Sequence, residues 1–353
     1  MSMWAYDFKS GDLYYNITND TLPPFTASVT YEKSSSSANY SNLINVEIPA
    51  TATFYDGTIY HITSIGSSAF NQCKSLVSVT IPESVTQIAN NAFSSCSSLT
   101  NVIIPTSVVS IGRNAFSWCS SLALIDIPNN VSWVGDAAFS GTPWYNNQPD
   151  GVIYAGLNLY RYKGEMPANT SIQVNEGTKS ISEHAFSTGC SSLVSIDIPN
   201  SVSCIGYAAF SNCSSLTSIS IPESIKRIET WTFSNCSSLD TIILPDSITF
   251  IGSEAFKGCT LLTSVTIPEN VEEIEYDPFA ECPLLTSIVW NAKKCDKTQW
   301  LVSGSYRYGP FYSIRKQIIS FEFGENIEEI PPYLCYGMKY MKFINIPESV
   351  MRI

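Results

Sequence analysis

The stretch AFNQCKSLVSVTIPESVTQI, residues 69–88, is the unit from which this chain is built. Its pattern, Ala-Phe-x-x-Cys-x-x-Leu-x-x-Val-x-Ile-Pro-x-x-Val-x-x-Ile, returns at intervals of 23 residues. The leucine of the pattern stands at the following positions: Leu76, Leu99, Leu122, Leu193, Leu216, Leu239, Leu262 and Leu285. A unit this short cannot bury its own apolar side chains, so neighbouring units must stack and share one continuous core.

Twelve such units, called rungs here and counted from the leucine as position zero, can be followed along the chain. They begin at Leu43, Leu76, Leu99, Leu122, Asn169, Leu193, Leu216, Leu239, Leu262, Leu285, Ile318 and Met341. Positions three and five are apolar and mostly β-branched, which indicates a short strand with one buried face. Position six is proline in nine of the twelve rungs, and proline ends a ladder. The sequence therefore predicts a mainly β repeat solenoid: a right-handed stack of about twelve rungs, with a parallel sheet on one face and short turns or 3₁₀ segments opposite.

Two further columns describe the turns. A phenylalanine recurs at one position of the turn in nine places and predicts a stack of rings in the core. A glycine often precedes it by four residues, at Gly66, Gly112, Gly135, Gly206 and Gly252. We expect these glycines to supply a sharp corner with positive φ.

Eight of the eleven cysteines share one position, three residues before the leucine: Cys73, Cys96, Cys119, Cys190, Cys213, Cys236, Cys259 and Cys282. Stacked rungs lie about 4.8 Å apart, but parallel Cβ vectors disfavour the disulfide dihedral. We therefore predict free, buried thiols over a ladder of bridges. No histidine accompanies the column, so no zinc site, and no other metal or cofactor, is predicted.

The ends and interruptions of the repeat define the predicted domain organisation. Residues 1–42 alternate as strands at Tyr6–Phe8, Leu13–Ile17 and Thr26–Tyr31, which predicts a small N-terminal β cap followed by a polar link at Ser34–Ser37. The solenoid then covers residues 43–353, with inserts near 50–60, 141–168 and 291–315. Inserts on a solenoid often carry its binding function. The twelfth rung stops before its Ala-Phe turn, so we expect a fragment of a longer chain.

Composition excludes several classes of function. A net charge of −12 and a pI of about 4.6 argue against nucleic acid and anionic membranes as partners. No run of about 18 apolar residues is present, so no membrane insertion is expected. The first residues lack the basic and apolar regions of a signal peptide. The chain is thus either cytosolic or a mature form whose leader has been removed.

The compound motif I-P-x-x-V-x-x-I-G-x-x-A-F-x-x-C-x-S-L resembles the BspA-type leucine-rich repeats of bacterial surface proteins and of some parasitic protists. The resemblance covers about residues 43–353. It implies secretion or display at the cell surface and adhesive binding to host matrix proteins or to other cells. It supplies no catalytic residue.

The residues themselves also argue against an enzyme. Only two histidines are present, His61 and His184, and no G-x-S-x-G elbow, P-loop or H-E-x-x-H motif occurs. A general base needs a positioned partner and a pocket, and a smooth repeat array predicts neither. We expect a non-catalytic interaction module, with a purely structural spacer as another interpretation.

Strand positions two and four should form an exposed concave face. The candidate ligand-binding patch for a protein or a glycan consists of Asn101, Ile103, Leu124, Asp126, Gln173, Ser195 and Asp197. The alternative is that small polar residues are merely good solvated strand residues. Tyr154 and Tyr160 lie in a predicted hairpin, Val152–Tyr162, and are the candidate anchors of a glycan-binding or glycan-sensing protein. The alternative is that the aromatic rings of this insert pack within their own loop.

An acidic row follows three of the prolines, at Glu223, Asp246 and Glu269, each 23 residues from the next. Stacked carboxylates about 5 Å apart repel one another unless cations or solvent intervene. Ca²⁺ is one interpretation. Ordinary acidic turn residues are the other.

Overall fold

The computed structural model describes residues 6–32, 40, 42–295, 302–303, 306–307 and 309–353. The chain forms two compact units: unit 1 contains Met1–Pro149 and Ile153–Tyr160, and unit 2 contains Asp150–Val152 and Arg161–Ile353. The predicted polar link at Ser34–Ser37 lies outside the described residues, as do Trp300 and Tyr308 of the last insert.

Unit 1 is mainly β. Its elements in chain order are β1 (Phe8–Ser10), β2 (Leu13–Asn19), β3 (Thr26–Thr30), β4 (Asn45–Glu47), β5 (Thr51–Thr53), β6 (Ile59–Ile65), β7 (Ser78–Thr80), β8 (Gln87–Ile88), β9 (Asn101–Ile103), β10 (Ser110–Ile111), β11 (Leu124–Asp126), β12 (Trp133–Val134) and α1 (Pro143–Asn146). The next strands are β13 (Gly151–Ala155) and β14 (Asn158–Lys163), whose residues 153–160 belong to unit 1. Strands β4, β7, β9 and β11, at positions two to four of their rungs, form one parallel sheet, called the leading sheet.

The N-terminal strands join the solenoid through a second sheet. β1, β2 and β3 are antiparallel, and β3 then pairs in parallel with β6, where Ala27 lies opposite Ile62. The first insert is an antiparallel pair, β5 with β6, joined by a turn in which the Thr58 N–H donates to Asp56 Oδ1 at 2.9 Å.

Unit 2 repeats the same plan. Its strands are β15 (Thr170–Gln173), β16 (Ser180–Ile181), β17 (Leu193–Asp197), β18 (Cys204–Ile205), β19 (Ser218–Ile219), β20 (Arg227–Ile228), β21 (Phe250–Ile251), β22 (Ser264–Ile267), β23 (Glu273–Ile274), β24 (Ser287–Trp290), β25 (Val302–Ser303), β26 (Tyr306–Arg307) and β27 (Ser320–Phe323). In the rung that begins at Leu239 the leading strand is reduced to a parallel bridge between Ser220 and Ile243. In the last rung residues 341–347 form no strand, and Arg352 instead makes a bridge with Glu329. The predicted solenoid of stacked 23-residue rungs with parallel sheets is confirmed.

The second sheet was not predicted. In most rungs the Val-x-x-Ile segment ends in a two-residue strand that pairs with the equivalent strand of a neighbouring rung, as Ile88 does with Ile111. Both isoleucines and the preceding Val85 are completely buried. The segment therefore contributes a strand of its own and not only a turn.

The phenylalanine column forms a regular stack. In unit 2 the rings of Phe210 and Phe233 lie 5.5 Å apart and almost parallel, and Phe233 and Phe256 lie 5.4 Å apart. In six rungs the thiol donates to the phenylalanine carbonyl of the preceding rung, as Cys236 Sγ does to Phe210 O at 3.3 Å. Cys73 and Cys190 donate instead to the carbonyl two residues before them. All eight column cysteines are free and buried, which confirms the prediction.

The expected role of the glycine column is wrong. None of the glycines in that column has a positive φ. In the repeated turns, positive φ occurs instead at two other places. One is the residue directly before the Ala-Phe pair or its counterpart, and the other lies two residues after the phenylalanine. The first set is Ser68, Asn91, Asn114, Ala137, His184, Ala208, Trp231, Glu254 and Asp277. Of the two predicted forms, short turns or 3₁₀ segments, these segments adopt short turns, each containing left-handed residues. The glycines instead allow close approach, because a Cβ at Gly252 would lie 2.4 Å from the Thr230 backbone nitrogen.

Gly252→Ala is therefore expected to destabilise the protein by about 1–3 kcal/mol, since the new methyl group meets backbone that no side-chain rotation can move. Urea unfolding followed by circular dichroism measures this change. The matched control is Ala89→Gly, which removes a Cβ at the equivalent position of another rung and should cost no more than about 1 kcal/mol. Equal stability of Gly252→Ala and the parent would contradict the close-approach explanation.

Candidate functional site

The leading sheet of unit 1 brings four of the predicted residues together. Leu124 pairs with Asn101, and Asp126 pairs with Ile103 on the neighbouring strand. In each strand the middle residue is buried and its two neighbours are exposed. All four side chains therefore project from the same face of the sheet.

Two of these four are large apolar side chains in water. Ile103 is 67% exposed and Leu124 is 76% exposed. They lie on adjacent strands and are related diagonally, a spacing of about 7–8 Å between Cα atoms that long side chains can span. Most of the surface of both side chains lies outside the core of unit 1, so burial does not explain their apolar character.

The other three residues of the predicted patch belong to unit 2. Gln173 pairs with Asp197, and Ser171 pairs with Ser195, across β15 and β17. The Ser195 hydroxyl donates to Ser171 Oγ at 2.8 Å. These side chains line a groove of about 880 Å³ that continues over β19.

The groove contains residues that the predicted patch omitted. Ile243 is 81% exposed, and it lines the groove together with Glu223. A signal for Ile243 was present in the sequence, because it occupies the same strand position as Ile103. The groove in unit 2 thus combines an exposed apolar side chain with the carboxylates of Asp197 and Glu223.

The expectation that Tyr160 serves as a surface anchor is wrong. Its side chain is 1% exposed, and its ring packs edge-on against Phe139 at 5.6 Å. Its hydroxyl accepts the backbone N–H of Phe139 at 3.2 Å. Tyr154 is half-buried, and Trp144 from the same insert also contacts Phe139, at 4.7 Å. The rings of this insert therefore extend the aromatic core of unit 1, which the sequence pattern did not reveal.

Charged and metal-ligating side chains do not form a metal site in the described part of the chain. There, no three His, Cys, Asp or Glu side chains are arranged to hold a metal ion. In the acidic row, Glu223 and Asp246 are exposed, whereas Glu269 pairs with Lys293. His184 packs edge-on against Tyr207 at 5.2 Å. No helix among the described residues has the length and apolarity to cross a membrane.

Stacked short parallel strands over columns of leucine, phenylalanine and cysteine define a leucine-rich-repeat solenoid. A family model described as "BspA type Leucine rich repeat region" matches six copies over residues 39–148 and 159–293. The chain therefore belongs to the BspA-type leucine-rich-repeat family. A search of curated proteins gives no match.

Several solved structures are similar to this chain. A leucine-rich repeat protein from Bacteroides ovatus is 24% identical, with 98% of this chain and 90% of that chain covered and a TM-score of 0.38. A leucine rich cell surface protein from Faecalibacterium prausnitzii is 23% identical, with 98% and 94% covered and a TM-score of 0.38. The pneumococcal vaccine antigen PcpA is 18% identical, with 90% and 93% covered and a TM-score of 0.41.

Proposed function

We propose that this chain is a non-catalytic interaction module that acts outside the cell or at its surface and binds a protein partner, such as a host matrix protein, through its exposed leading strands. Membership of the BspA-type family supports surface display. The observation that carries the proposal is the adjacent pair Ile103 and Leu124, which are largely exposed on a flat row of paired strands.

The geometry suits a protein surface better than a small molecule. Paired parallel strands hold their side chains in fixed rows, so a partner contacts residues whose backbone loses no further entropy on binding. Apolar side chains surrounded by polar ones match the composition of protein interfaces, where a few central contacts dominate the affinity. In unit 2, the groove that contains Ile243 supplies the same combination.

A glycan bound by the insert tyrosines is the alternative, and the burial of Tyr160 removes one of its two anchors. Tyr154 remains as a half-buried ring. We therefore favour the protein partner over this alternative.

The double variant Ile103→Lys with Leu124→Lys is expected to weaken binding by at least about 2 kcal/mol, or roughly thirtyfold. It places two charges where an apolar contact is proposed and leaves the buried residues of the strands unchanged, so thermal stability should stay close to that of the parent. Surface plasmon resonance against immobilised collagen, laminin and fibronectin measures the binding.

Ile59→Lys with Val109→Lys is the matched control. Ile59 is 57% exposed and Val109 is 46% exposed, and both lie outside the leading sheet of unit 1. This control adds the same charge and removes similar apolar area. If both double variants lose binding equally, the loss is due to the added net charge and not to the position of the substitutions. Unchanged binding in the Ile103/Leu124 variant would exclude the leading strands of unit 1 as the interface, and absence of binding by the parent would favour a structural spacer.

A further inference from the structure

The turns of unit 2 carry an exposed tryptophan in a backbone conformation that disfavours it. Trp231 has φ 58°, in the column of left-handed residues. Bulky side chains are uncommon there, whereas asparagine and aspartate are enriched. Trp231 is also 42% exposed, so burial does not account for it. The local backbone conformation does not favour a tryptophan at this position, and a large part of the ring remains accessible.

The indole ring of Trp231 is held in one orientation. Its Nε1–H donates to Glu254 Oε2 at 3.0 Å, and the Tyr207 ring lies 5.5 Å away on the preceding rung. Glu254 in turn pairs with Lys257 at 3.1 Å. A ring fixed in this way loses little freedom when a ligand stacks on it.

An open groove of about 670 Å³ runs along the next left-handed column of the same turns, lined mainly by residues with polar side chains but with a largely apolar surface. Its lining residues are Asn212, Ser214, Asn235, Ser237, Gly258, Thr260, Glu281 and Pro283. Trp231 itself does not line the groove; Lys257 pairs both with Glu281 of the groove, at 3.6 Å, and with Glu254, the acceptor of the Trp231 indole N–H.

The chemistry of the groove favours a neutral ligand rich in hydroxyl groups. Carboxamides and hydroxyls both donate and accept hydrogen bonds, as sugar hydroxyls do. Asn235 Nδ2–H donates to Asn212 Oδ1 at 3.0 Å, so a ligand would use the remaining donor and acceptor positions of these two carboxamides. The Lys257 ammonium lies between the carboxylates of Glu254 and Glu281. These charges compensate one another, so the groove offers no unpaired charge to attract an anion or a cation. Asn212 and Asn235 also suit their left-handed backbone, so they alone would not indicate a ligand; Trp231 is the independent observation.

We propose that Trp231 and this groove form a binding site for a neutral oligosaccharide. The apolar C–H face of one sugar ring stacks on the indole, and the hydroxyls of the following rings bind Asn212 and Asn235. The site shares no residue with the strand faces proposed for protein binding. A test of this sugar site can therefore fail or succeed independently of the test of the protein-binding strands.

The test titrates the full chain with cellobiose, maltose, lactose and diacetylchitobiose at millimolar concentrations, followed by calorimetry and by the NMR signal of the Trp231 indole N–H. Trp231→Asn keeps a residue suited to left-handed backbone, as at Asn91 and Asn114. It should weaken binding of the preferred sugar at least tenfold. Asn235→Gly, which copies Gly258 of the next rung, should also weaken binding several-fold.

Trp118→Asn is the matched control, because Trp118 is 65% exposed with φ 59° but belongs to unit 1. It should bind as the parent does. Absence of binding of all four sugars by the parent overturns the proposal, and so does parental affinity in Trp231→Asn. If Trp231→Asn loses its circular dichroism spectrum, Asn235→Gly decides the outcome alone.

Discussion

Alkaline pH is expected to unfold unit 2 through its column of buried thiols. Burial raises the pKa of Cys190 and Cys282 to about 12 and raises the pKa values of Cys213, Cys236 and Cys259 as well. In the unfolded chain a thiol ionises at about pH 8.5. Because the folded pKa values are raised, this contribution to stability is fully present below about pH 8.5 and is lost as the pH rises toward 12.

The expected size of the effect is large. Each thiol costs about 1.4 kcal/mol of stability per pH unit above its unfolded pKa, so five thiols remove about 10 kcal/mol by pH 10. That loss equals the whole stability of a typical domain, about 5–15 kcal/mol. Urea unfolding under argon at a series of pH values from 7 to about 10.5 measures it.

Substitution separates the thiols from other alkaline groups. Tyrosines such as Tyr15, whose pKa burial raises to about 12, act in the same direction in unit 1. Cys236→Ala with Cys259→Ala should reduce the slope of stability against pH by about 2.8 kcal/mol per unit, whatever its effect at pH 7. Parallel curves for the parent and this variant would show that the buried thiols are not responsible.

Phe233→Ala is expected to cost about 3–5 kcal/mol of stability. The ring is fully buried between Phe210 and Phe256. Neighbouring rings are fixed by their own rungs, so they cannot move in to fill the space, and a cavity remains. Urea unfolding at pH 7 measures the loss.

Phe343→Ala provides the control, since this side chain is 88% exposed. Its effect should stay within about 0.5 kcal/mol. Phe233→Leu, which retains part of the buried volume, should lie between the two. A cost below about 1 kcal/mol for Phe233→Ala would mean that the stacked rings contribute little to holding the rungs together.

The period of 23 residues was sufficient to predict most of the architecture. It identified the leading strands, the phenylalanine stack and the free thiols, because a side chain that recurs at one position in every rung must meet its own copies in the neighbouring rungs. The same logic brought Asn101, Ile103, Leu124 and Asp126 onto one face. Alternation along a strand then separates exposed from buried positions.

Other features depend on distances between rungs, which a repeat pattern does not contain. The pattern predicts a corner near Gly252, but it does not reveal that Gly252 lies against the backbone of Thr230 in the preceding rung. Nor does it reveal that the left-handed residue is Glu254, two positions after the glycine. Non-repeating segments have no period to place them, and Tyr160 became part of the core because its ring fits edge-on against Phe139. The exposed indole of Trp231 likewise follows from how neighbouring turns stack, since Tyr207 and Glu254 on the adjacent rungs fix its orientation. Periodicity thus determines which residues meet, and tertiary packing determines how closely they approach and which of them remain accessible to a partner.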